Sequence, residues 1–197
     1  MIQTLYPPFR HWSETGTIWI YSDPHFSDED MPPWSKRPSD DEQVASINKF
    51  VGRKDTLIIL GDIGNLEVAK RLRGHKILIC GNHDKGGTIY ESIFDEVYTG
   101  TLVIAEKIIL SHEPVLVPWA FNIHGHDHNG TFIDNLHLNV CSDVIGYKPI
   151  NFNQWIKSGA LAKVPSIHRI TIDKQTKRAK ERKEKGLPKW ERKSQKS

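Results

Sequence analysis

The feature that most limits the fold is a set of short apolar runs, each of which ends at a cluster of glycine and polar residues. The first half of the chain has three such runs, at 17–22, 56–60 and 76–80. Runs of this length, rich in β-branched residues and bounded by turn residues, predict buried strands. Two helical stretches separate them: one follows Ser39, which forms a capping-box pattern with Glu42, and the other covers 66–72. Alternation of strand and helix predicts a parallel sheet that is covered on both faces.

The second half of the chain predicts a second sheet. Apolar runs at 101–105 and 107–111 suggest a hairpin that turns near Glu106. Further strands are expected at 120–124, 136–141 and 166–172, with one helix at 153–157. This pattern predicts a mixed or antiparallel sheet packed on the first one. The fold class is therefore expected to be α/β, with two mixed β-sheets packed as a sandwich and flanked by helices.

Charge divides the chain into two parts. The 197 residues contain 27 Lys and Arg and 24 Asp and Glu; residues 174–197 hold eleven of the basic residues and three glutamates, so the tail carries +8 and residues 1–173 carry −5. We predict one folded domain over 1–173, followed by a basic, partly disordered C-terminal tail over 174–197. Such a tail is either a solvated extension or a segment that contacts nucleic acid or another polyanion through its phosphates.

Other features limit the class of protein. No apolar run approaches the roughly 18 residues that a membrane-spanning helix needs, and residues 1–10 lack the apolar core of a secretory signal. We therefore expect a cytoplasmic protein without a membrane partner. Cys80 and Cys141 lack the spacing of a metal site, which favours two buried thiols in a reducing compartment over a disulfide scaffold or a zinc knuckle. The sequence makes no prediction about the oligomeric state.

Polar clusters follow the apolar runs, at the edge where an α/β sheet presents its ligand crevice. There are five: Asp23-Pro-His25, Gly61-Asp62-Ile-Gly64, Gly81-Asn82-His83-Asp84, Ser111-His112-Glu113 and His124-Gly-His126-Asp-His128. Each one alone is weak evidence, because a histidine or aspartate after a strand commonly holds a turn. Together they place nitrogen and oxygen ligands at one end of the predicted strands, and this predicts a metal site.

The donor types narrow the choice of metal. Mixed carboxylate, amide and imidazole groups suit Mn²⁺, Fe, Co²⁺, Ni²⁺ or Zn²⁺, whereas all-oxygen cages suit Ca²⁺ or Mg²⁺. The five clusters supply seven plausible metal ligands, which are too many for one ion. A pair of ions about 3.5–4 Å apart, bridged by one carboxylate, would use all seven. We therefore expect two divalent metal ions, with Mn²⁺ favoured.

The order of the motifs resembles the calcineurin-like metallophosphoesterase superfamily, whose signature runs D-x-H, G-D, G-N-H-D/E, H and G-H-x-H. The match spans Asp23 to His128, and Arg37-Pro38 and Tyr147-Lys-Pro149 are similar to the small single-domain bacterial and phage-type members. The resemblance implies a four-layer αββα arrangement and a metallophosphoesterase domain. Many members continue the second motif to a later carboxylate, where this chain has Asn65, a position outside the implied ligand set.

The resemblance also implies a role for each site residue. It implies a first metal held by Asp23, His25 and His128, a second held by Asn82, His112 and His126, and Asp62 as the bridge. His83 would act on the substrate as a catalytic residue, stabilising phosphoryl oxygens or protonating the leaving oxygen. Asp84 would support catalysis by orienting a neighbour, and His124 is expected to be packed or to lie behind the ligands rather than to bind a metal.

The expected function is hydrolysis of a phosphodiester or phosphomonoester by in-line attack of metal-bound hydroxide, without a phospho-enzyme. Trp34 and Arg37 follow the first ligand pair and are candidate substrate-binding residues: Trp34 would stack on a base and Arg37 would clamp a phosphate. The same segment equally fits a Pro-rich surface loop with Trp34 buried. Two alternatives stay open: a nuclease or nucleic-acid end-processing enzyme that uses the basic tail, and a non-catalytic metal-binding scaffold.

Overall fold

The computed structural model describes residues 2–29, 36–86, 88–130 and 134–186, and within them nine strands form two sheets. The strands are β1 (Ile18–Tyr21), β2 (Thr56–Ile59), β3 (His75–Ile79), β4 (Glu96–Tyr98), β5 (Leu102–Ala105), β6 (Ile108–Leu110), β7 (Phe121–His124), β8 (His137–Asn139) and β9 (Ile150–Asn151). The first sheet has the order β4-β3-β2-β1-β9 and the second has the order β5-β6-β7-β8.

The first sheet is parallel except at one edge. Strands β1 to β4 pair in parallel, and Ile20, Ile58 and Ile77 lie side by side across its centre. The short strand β9 pairs with β1 in the antiparallel direction. The three parallel strands predicted from the apolar runs are thus confirmed, whereas β4 and β9 were not predicted because their sequences, Glu-Val-Tyr and Ile-Asn, form no apolar run.

The second sheet begins with the predicted hairpin. Strands β5 and β6 are antiparallel, with an irregularity between Val103 and Ala105, and β7 and β8 continue the sheet in parallel. An isolated bridge between Ser22 and Cys141 links the two sheets where β1 and β8 end. The expectation of two mixed sheets in an α/β sandwich is confirmed.

Alternate residues of the strands pack on opposite faces of the first sheet. Ile20 and Leu60 are fully buried in the core that also contains Leu110 of the second sheet, whereas Leu57 and Ile59 pack with the helices outside. Two of these helices are α1 (Asp40–Phe50) and α2 (Leu66–Ala69). Because strand side chains alternate, one continuous apolar run serves both cores.

The capping signals set where these helices begin. The Ser39 hydroxyl accepts from the Glu42 backbone and the Glu42 carboxylate accepts from the Ser39 backbone, so the predicted capping box is present. The Asn65 side chain accepts from the Glu67 backbone at 2.9 Å and caps α2. Asn65 therefore has a structural role at the start of a helix.

On the outer face of the second sheet, a loop lies over β7. The Asn122 side chain is fully buried there and accepts from the Val115 backbone at 2.7 Å. The short helix α3 (Phe152–Lys157) contacts β1 and β9 instead, with Phe152 and Trp155 stacked at 5.7 Å between ring centroids. It coincides with the helix that was predicted at 153–157.

The predicted strand at 166–172 is wrong, because this segment begins the helix α4 (Ile167–Glu184). The Ser166 hydroxyl accepts from the Arg169 backbone and caps the helix, and the residues that follow favour helix. Ile170 and Ile172 are 36% and 48% exposed, so they form no buried strand face. The helix continues past residue 173, and residues 187–197 of the expected tail lie outside the described residues. In the described part of the chain no helix is long and apolar enough to cross a membrane.

Candidate metal centre

The seven predicted ligands converge at one edge of the sandwich, where parallel strands of both sheets end. Asp23 follows β1, Asp62 follows β2, Asn82 follows β3, and His112 follows β6. Overlapping groups of side chains place their ligand atoms within 4.8 Å of one another: Asp23, His25 and Asp62; Asp62, His112 and His126; Asp23, His128 and Cys141. Within each sheet, parallel pairing brings strand ends together, those of β1, β2 and β3 in the first sheet and those of β6 and β7 in the second. The packing of the two sheets then joins the two sets of ligands.

The carboxylate of Asp62 lies at the centre of this group. Its Oδ2 atom is 3.4 Å from Nε2 of His25 and 3.4 Å from Nε2 of His112. Its Oδ1 atom accepts from the His83 backbone at 3.0 Å, which fixes the plane of the carboxylate. Asp62 is therefore positioned between two imidazoles that come from different sheets.

One side of Asp62 is lined by Asn82, His112 and His126. Nε2 of His112 is 2.7 Å from Oδ1 of Asn82 and 3.1 Å from Nδ1 of His126. Nδ1 of His126 is also 3.1 Å from the same Asn82 oxygen. His112 is buried, whereas Asn82 and His126 are exposed, so this side is open to a ligand from solvent.

The other side of Asp62 is lined by Asp23, His25 and His128. Oδ1 of Asp23 is 3.7 Å from Nε2 of His128, and the rings of His25 and His128 are 5.3 Å apart between centroids. Oδ2 of Asp23 accepts from the His126 backbone at 2.9 Å. Asp23 thereby joins the first cluster of the chain to the last.

Hydrogen bonds define the tautomer of three histidines. Nδ1 of His25 is 2.9 Å from Oδ2 of Asp28, and Nδ1 of His128 is 2.6 Å from Oδ2 of Asp143. Nδ1 of His112 is 2.7 Å from the carbonyl oxygen of Leu60. Since carboxylate and carbonyl oxygens only accept, each Nδ1 carries the proton in these bonds, and the neutral ring presents its Nε2 lone pair to the centre.

Burial and hydrogen bonding shift the pKa values of these groups in different directions. Burial lowers the pKa of His25 and favours the neutral form, which is the form that binds a metal. The hydrogen bond to Asp143 raises the pKa of His128. Although burial opposes it, bonds from His128, Tyr147 and Arg37 hold the pKa of Asp143 well below its ordinary value, so this carboxylate stays charged.

Two buried atoms of the centre make no hydrogen bond with the described residues: Oδ1 of Asp23 and Nε2 of His25. A buried polar atom without a partner costs about 1–3 kcal/mol. Both atoms point into the cluster of nitrogen and oxygen donors, where a cation would satisfy them. The donor set of carboxylates, an amide and imidazoles suits a borderline divalent ion, and the residues present therefore fit the two ions that the sequence predicted.

The backbone is strained where it carries the ligands. Asp23, His25, Asp62 and His126 have φ values of 56°, 42°, 54° and 66°, and such left-handed residues cost of order 1–3 kcal/mol each. Gly125 makes the close approach possible, because a Cβ atom there would lie 2.2 Å from Oδ2 of Asp23. The rest of the fold compensates for this local strain and holds the ligand side chains in one arrangement.

The Asp84 side chain contacts the backbone of the Asp62 motif and of its own motif. Its carboxylate accepts from the backbone N–H groups of Asp62 at 2.9 Å, Ile63 at 3.0 Å and Gly81 at 2.7 Å. These bonds position the turn that carries Asp62. His83 is exposed beside the centre, with its ring centroid 5.6 Å from that of His25.

Arg37 was predicted from the sequence to bind a phosphate. The hydrogen bonds described for its side chain go to other groups of the protein. Its guanidinium donates to the carbonyl oxygens of Asp23 at 2.8 Å and Pro24 at 2.6 Å, and to Oδ2 of Asp143 at 2.9 Å. The side chain is only 10% exposed. These contacts favour a positioning role behind the first motif. Trp34, the other substrate-binding prediction, lies outside the described residues.

His124 is fully buried, and its Nδ1 lies 2.8 Å from the carbonyl oxygen of Gly125, which makes it a packed residue behind the ligands. Cys141 is buried with Sγ 3.3 Å from Nδ1 of His128, and burial raises the pKa of its thiol well above the ordinary value. Cys80 is only partly buried, and both cysteines are free. A thiol held protonated is a poor metal ligand.

Sequence reasoning missed the two carboxylates that orient histidines of the centre, Asp28 and Asp143. Asp28 stands three residues after His25, a spacing that a search for histidine partners could have used. Asp143 stands 15 residues after His128 and is brought back by the turn after β8, for which the sequence carries no local signal.

Comparison with known proteins finds relatives without an assigned function. The uncharacterized protein MJ1445 of Methanocaldococcus jannaschii is 28% identical over 166 residues, which cover 71% of this chain and 89% of that protein. The crystal structure of AQ665, a protein of unknown function from Aquifex aeolicus, matches with a TM-score of 0.61 and 27% identity, over 72% of this chain and 98% of that one.

A third similarity is weaker. The crystal structure of nuclease MPE from Pseudomonas putida matches with a TM-score of 0.42 and 20% identity, over 56% of this chain and 61% of that one. No protein-family model matches the chain. The Aquifex structure thus supports the fold, and the Pseudomonas similarity is too low to carry an argument.

Proposed function

We propose that this protein is a metal-dependent phosphoester hydrolase with a centre for two divalent ions. The observation that carries the proposal is the position of Asp62, whose Oδ2 lies 3.4 Å from the ligand nitrogens of both His25 and His112. A carboxylate between two sets of donors is the arrangement that a bridged pair of ions requires. The order of the motifs, which resembles the calcineurin-like superfamily, supports the same assignment.

The residues divide into two sets around Asp62. Asp23, His25 and His128 would hold one ion, and Asn82, His112 and His126 would hold the other. When bound, a pair of divalent ions supplies charge neutralisation for a phosphate group and lowers the pKa of water at the site. Of the borderline metals that the donors suit, Mn²⁺ remains the favoured one.

The role proposed for His83 follows from its position. Its side chain is exposed beside the centre, while its backbone is fixed by the bond to Asp62. An imidazole can donate a proton to a leaving oxygen or a hydrogen bond to a phosphoryl oxygen. His83 would therefore contact the substrate without holding an ion.

The other residues set the geometry. Asp84 positions the Asp62 turn, and Asp143 and Asp28 orient the rings of His128 and His25. These outer contacts matter because their loss typically weakens metal binding by about 10- to 100-fold.

The test is hydrolysis by metal-depleted protein to which Mn²⁺ is returned. The substrates are an aryl phosphodiester, an aryl phosphomonoester and an oligonucleotide. We expect Mn²⁺-dependent hydrolysis of at least one substrate, abolished in Asp62→Asn and retained in the matched control Asp41→Asn, whose carboxylate is exposed and pairs only with Arg71 among the described contacts. Two bound ions without hydrolysis of any of the three would instead favour the non-catalytic scaffold.

A second candidate, favoured by α4, is that the substrate is a nucleic acid. This helix has no buried residue and carries seven Lys or Arg against three Asp or Glu. A basic helix on the surface binds a phosphate backbone through charge, with an affinity that falls steeply as salt rises. Replacing Lys174, Lys177 and Arg178 with Gln should then raise the KM for an oligonucleotide and leave that for the aryl diester unchanged, whereas Lys49, Arg53 and Lys54 replaced in the same way should change neither.

A further inference from the structure

A second group of side chains that can bind a metal ion lies at the opposite end of the first sheet. His75 and Glu96 are the first residues of β3 and β4, whereas the candidate metal centre follows the last residues of the strands. From His75 to Asn82 the chain runs along β3, a distance on the order of 20 Å. The third member, His11, comes from the 3-10 helix Pro7–Ser13 near the N-terminus. The group is therefore separate from the centre.

The ligand atoms of this group meet at a single carboxylate oxygen. Nε2 of His11 is 2.8 Å from Oε1 of Glu96, and Nε2 of His75 is 2.7 Å from the same oxygen. The three ligand atoms all lie within 4.8 Å of one another. Side-chain exposures of 46% for His11, 38% for His75 and 18% for Glu96 leave the group open to solvent on one side.

The Glu96 carboxylate is fixed by neighbours on its protein side. Oε2 accepts from the Tyr98 hydroxyl at 2.7 Å, and the indole N–H of Trp12 lies 3.0 Å and 3.1 Å from the two oxygens. With Nε2 of His11 and of His75 on Oε1, the carboxylate has four hydrogen-bonding neighbours. Its orientation does not depend on the two histidines.

His75 lies between two carboxylates. Its Nδ1 is 3.6 Å from Oδ2 of Asp95, while its Nε2 is 2.7 Å from Glu96. The Asp95 oxygen lies at ion-pair distance from Nδ1, beyond the length of a hydrogen bond. When Nδ1 carries the proton, the Nε2 lone pair faces the Glu96 oxygen, and a cation between them would be bound by both. A histidine whose outer N–H faces a carboxylate and whose inner nitrogen binds a cation is the usual arrangement at metal sites.

We propose that His11, His75 and Glu96 form a separate site for one divalent transition-metal ion, with Zn²⁺ as its representative. Two imidazole nitrogens and one carboxylate oxygen suit Zn²⁺, Co²⁺ or Ni²⁺ and disfavour Ca²⁺ and Mg²⁺, which prefer oxygen ligands. The open side leaves room for water as a further ligand. Because His11 comes from the N-terminal segment and the other two from the first sheet, the ion joins that segment to the sheet.

The experiment counts Zn²⁺ ions per chain by equilibrium dialysis of the metal-depleted full chain, followed by elemental analysis. The variants are His11→Gln, which alters a half-exposed side chain, and His75→Gln, with His168→Gln on the exposed helix α4 as the matched control. We expect the first two to bind one ion fewer than the parent, or to bind that ion at least about tenfold more weakly. His168→Gln should match the parent. Equal counts and affinities in the parent and both site variants would overturn the proposal and leave a hydrogen-bonded cluster only.

The same measurement in an Asp62→Asn background separates this site from the candidate metal centre. A decrease caused by His11→Gln in both backgrounds supports the proposal, even if Asp62→Asn itself changes nothing and the proposed function fails. A decrease that disappears in Asp62→Asn would show that the ion belongs to the centre and would overturn the proposal. As a second readout, Zn²⁺ should raise the thermal unfolding midpoint of the Asp62→Asn chain and raise it less when His11 is also replaced.

Discussion

Arg37 offers a sharp test of how the candidate metal centre is held in place. Its guanidinium donates to the carbonyl oxygens of Asp23 and Pro24, to the Ser142 hydroxyl and to the Asp143 carboxylate. Hydrogen bonds that involve a charged group contribute about 1.5–3 kcal/mol each, but their sum is not additive. Removing one partner of a buried ion pair costs about 3–5 kcal/mol. We therefore expect Arg37→Ala to lower the free energy of unfolding by about 3–5 kcal/mol.

The conservative variant and a control make the estimate specific. Arg37→Lys keeps the charge but cannot reach four acceptors with one ammonium group, so a loss of about 2 kcal/mol is expected. Arg71→Ala removes a surface pair with Asp41, whose side chains are 47% and 82% exposed, and should cost no more than about 1 kcal/mol. Urea unfolding of the three variants and the parent, in excess chelator, measures these values.

Metal binding supplies the second readout. Asp23 is in the left-handed region, with a φ value of 56°, and Arg37 holds its carbonyl oxygen. Without that bond the segment can relax, so Arg37→Lys should bind Mn²⁺ about 10- to 100-fold more weakly. Arg37 does not hold the centre in place if Arg37→Ala is as stable as Arg71→Ala and binds Mn²⁺ like the parent. If Arg37→Ala keeps its stability and its Mn²⁺ binding but has a raised KM for the phosphoester, Arg37 is the phosphate clamp that the sequence suggested.

Three further predictions concern other parts of the molecule. Replacing His83 with Ala should leave the number of bound ions unchanged and lower turnover by about 10²- to 10⁴-fold, measured with the best substrate; loss of an ion would contradict the role proposed for it. Gly125→Ala should destabilise the fold by about 1–3 kcal/mol and impair metal binding, because the new Cβ would lie 1.9 Å from the Ser22 hydroxyl, whereas Gly100→Ala meets nothing within 4 Å and should change neither. The pKa of Glu96, about 2, is below its unfolded value of 4.5, so its contribution to stability is present above pH 4.5 and is lost as the pH falls toward 2. In chelator, the difference in unfolding free energy between the parent and Glu96→Gln should therefore shrink as the pH falls from 4.5 toward 2. A difference that stays constant would contradict the lowered pKa of Glu96.

The first sheet could be predicted because its signal is local. Apolar runs such as 56–60 are buried on both faces and are bounded by turn residues, and the capping box at Ser39 marks the start of α1. Parallel pairing then follows from the alternation with helices. The short strands β4 and β9 carry no comparable signal, because neither Glu-Val-Tyr nor Ile-Asn is part of an apolar run.

The error at 166–172 has a physical cause. The spacing of Ile170 and Ile172 matches an alternating strand, yet neither isoleucine is buried and no described strand pairs with the segment. The cap at Ser166 and the long run of basic residues with good helix propensity favour a helix over that weak alternation.

The sequence predicted the ligands of the candidate metal centre but not the residues that orient them. The side chains of the centre all follow predicted strands, so parallel pairing within the first sheet was enough to bring Asp23 and Asp62 together. His112 joins them because the second sheet packs on the first. The partners that orient them were not accessible. Asp143 reaches His128 only through the turn after β8, and the bond from Arg37 to the carbonyl oxygen of Asp23 follows no sequence pattern.

The cluster of His11, His75 and Glu96 could not be predicted from the sequence at all. Its three members are separated by 64 and 21 residues and follow no motif. Only the side-by-side pairing of β3 and β4, together with the N-terminal 3-10 helix, brings them into contact.

The central claim is that Asp62 bridges two ions. The direct measurement is anomalous X-ray diffraction from crystals of the full chain grown with Mn²⁺. We predict two anomalous peaks about 3.5–4 Å apart, one on each side of Oδ2 of Asp62, the first beside His25 and the second beside His112. A single peak at the centre, or no pair of peaks that flanks Asp62, would contradict the claim.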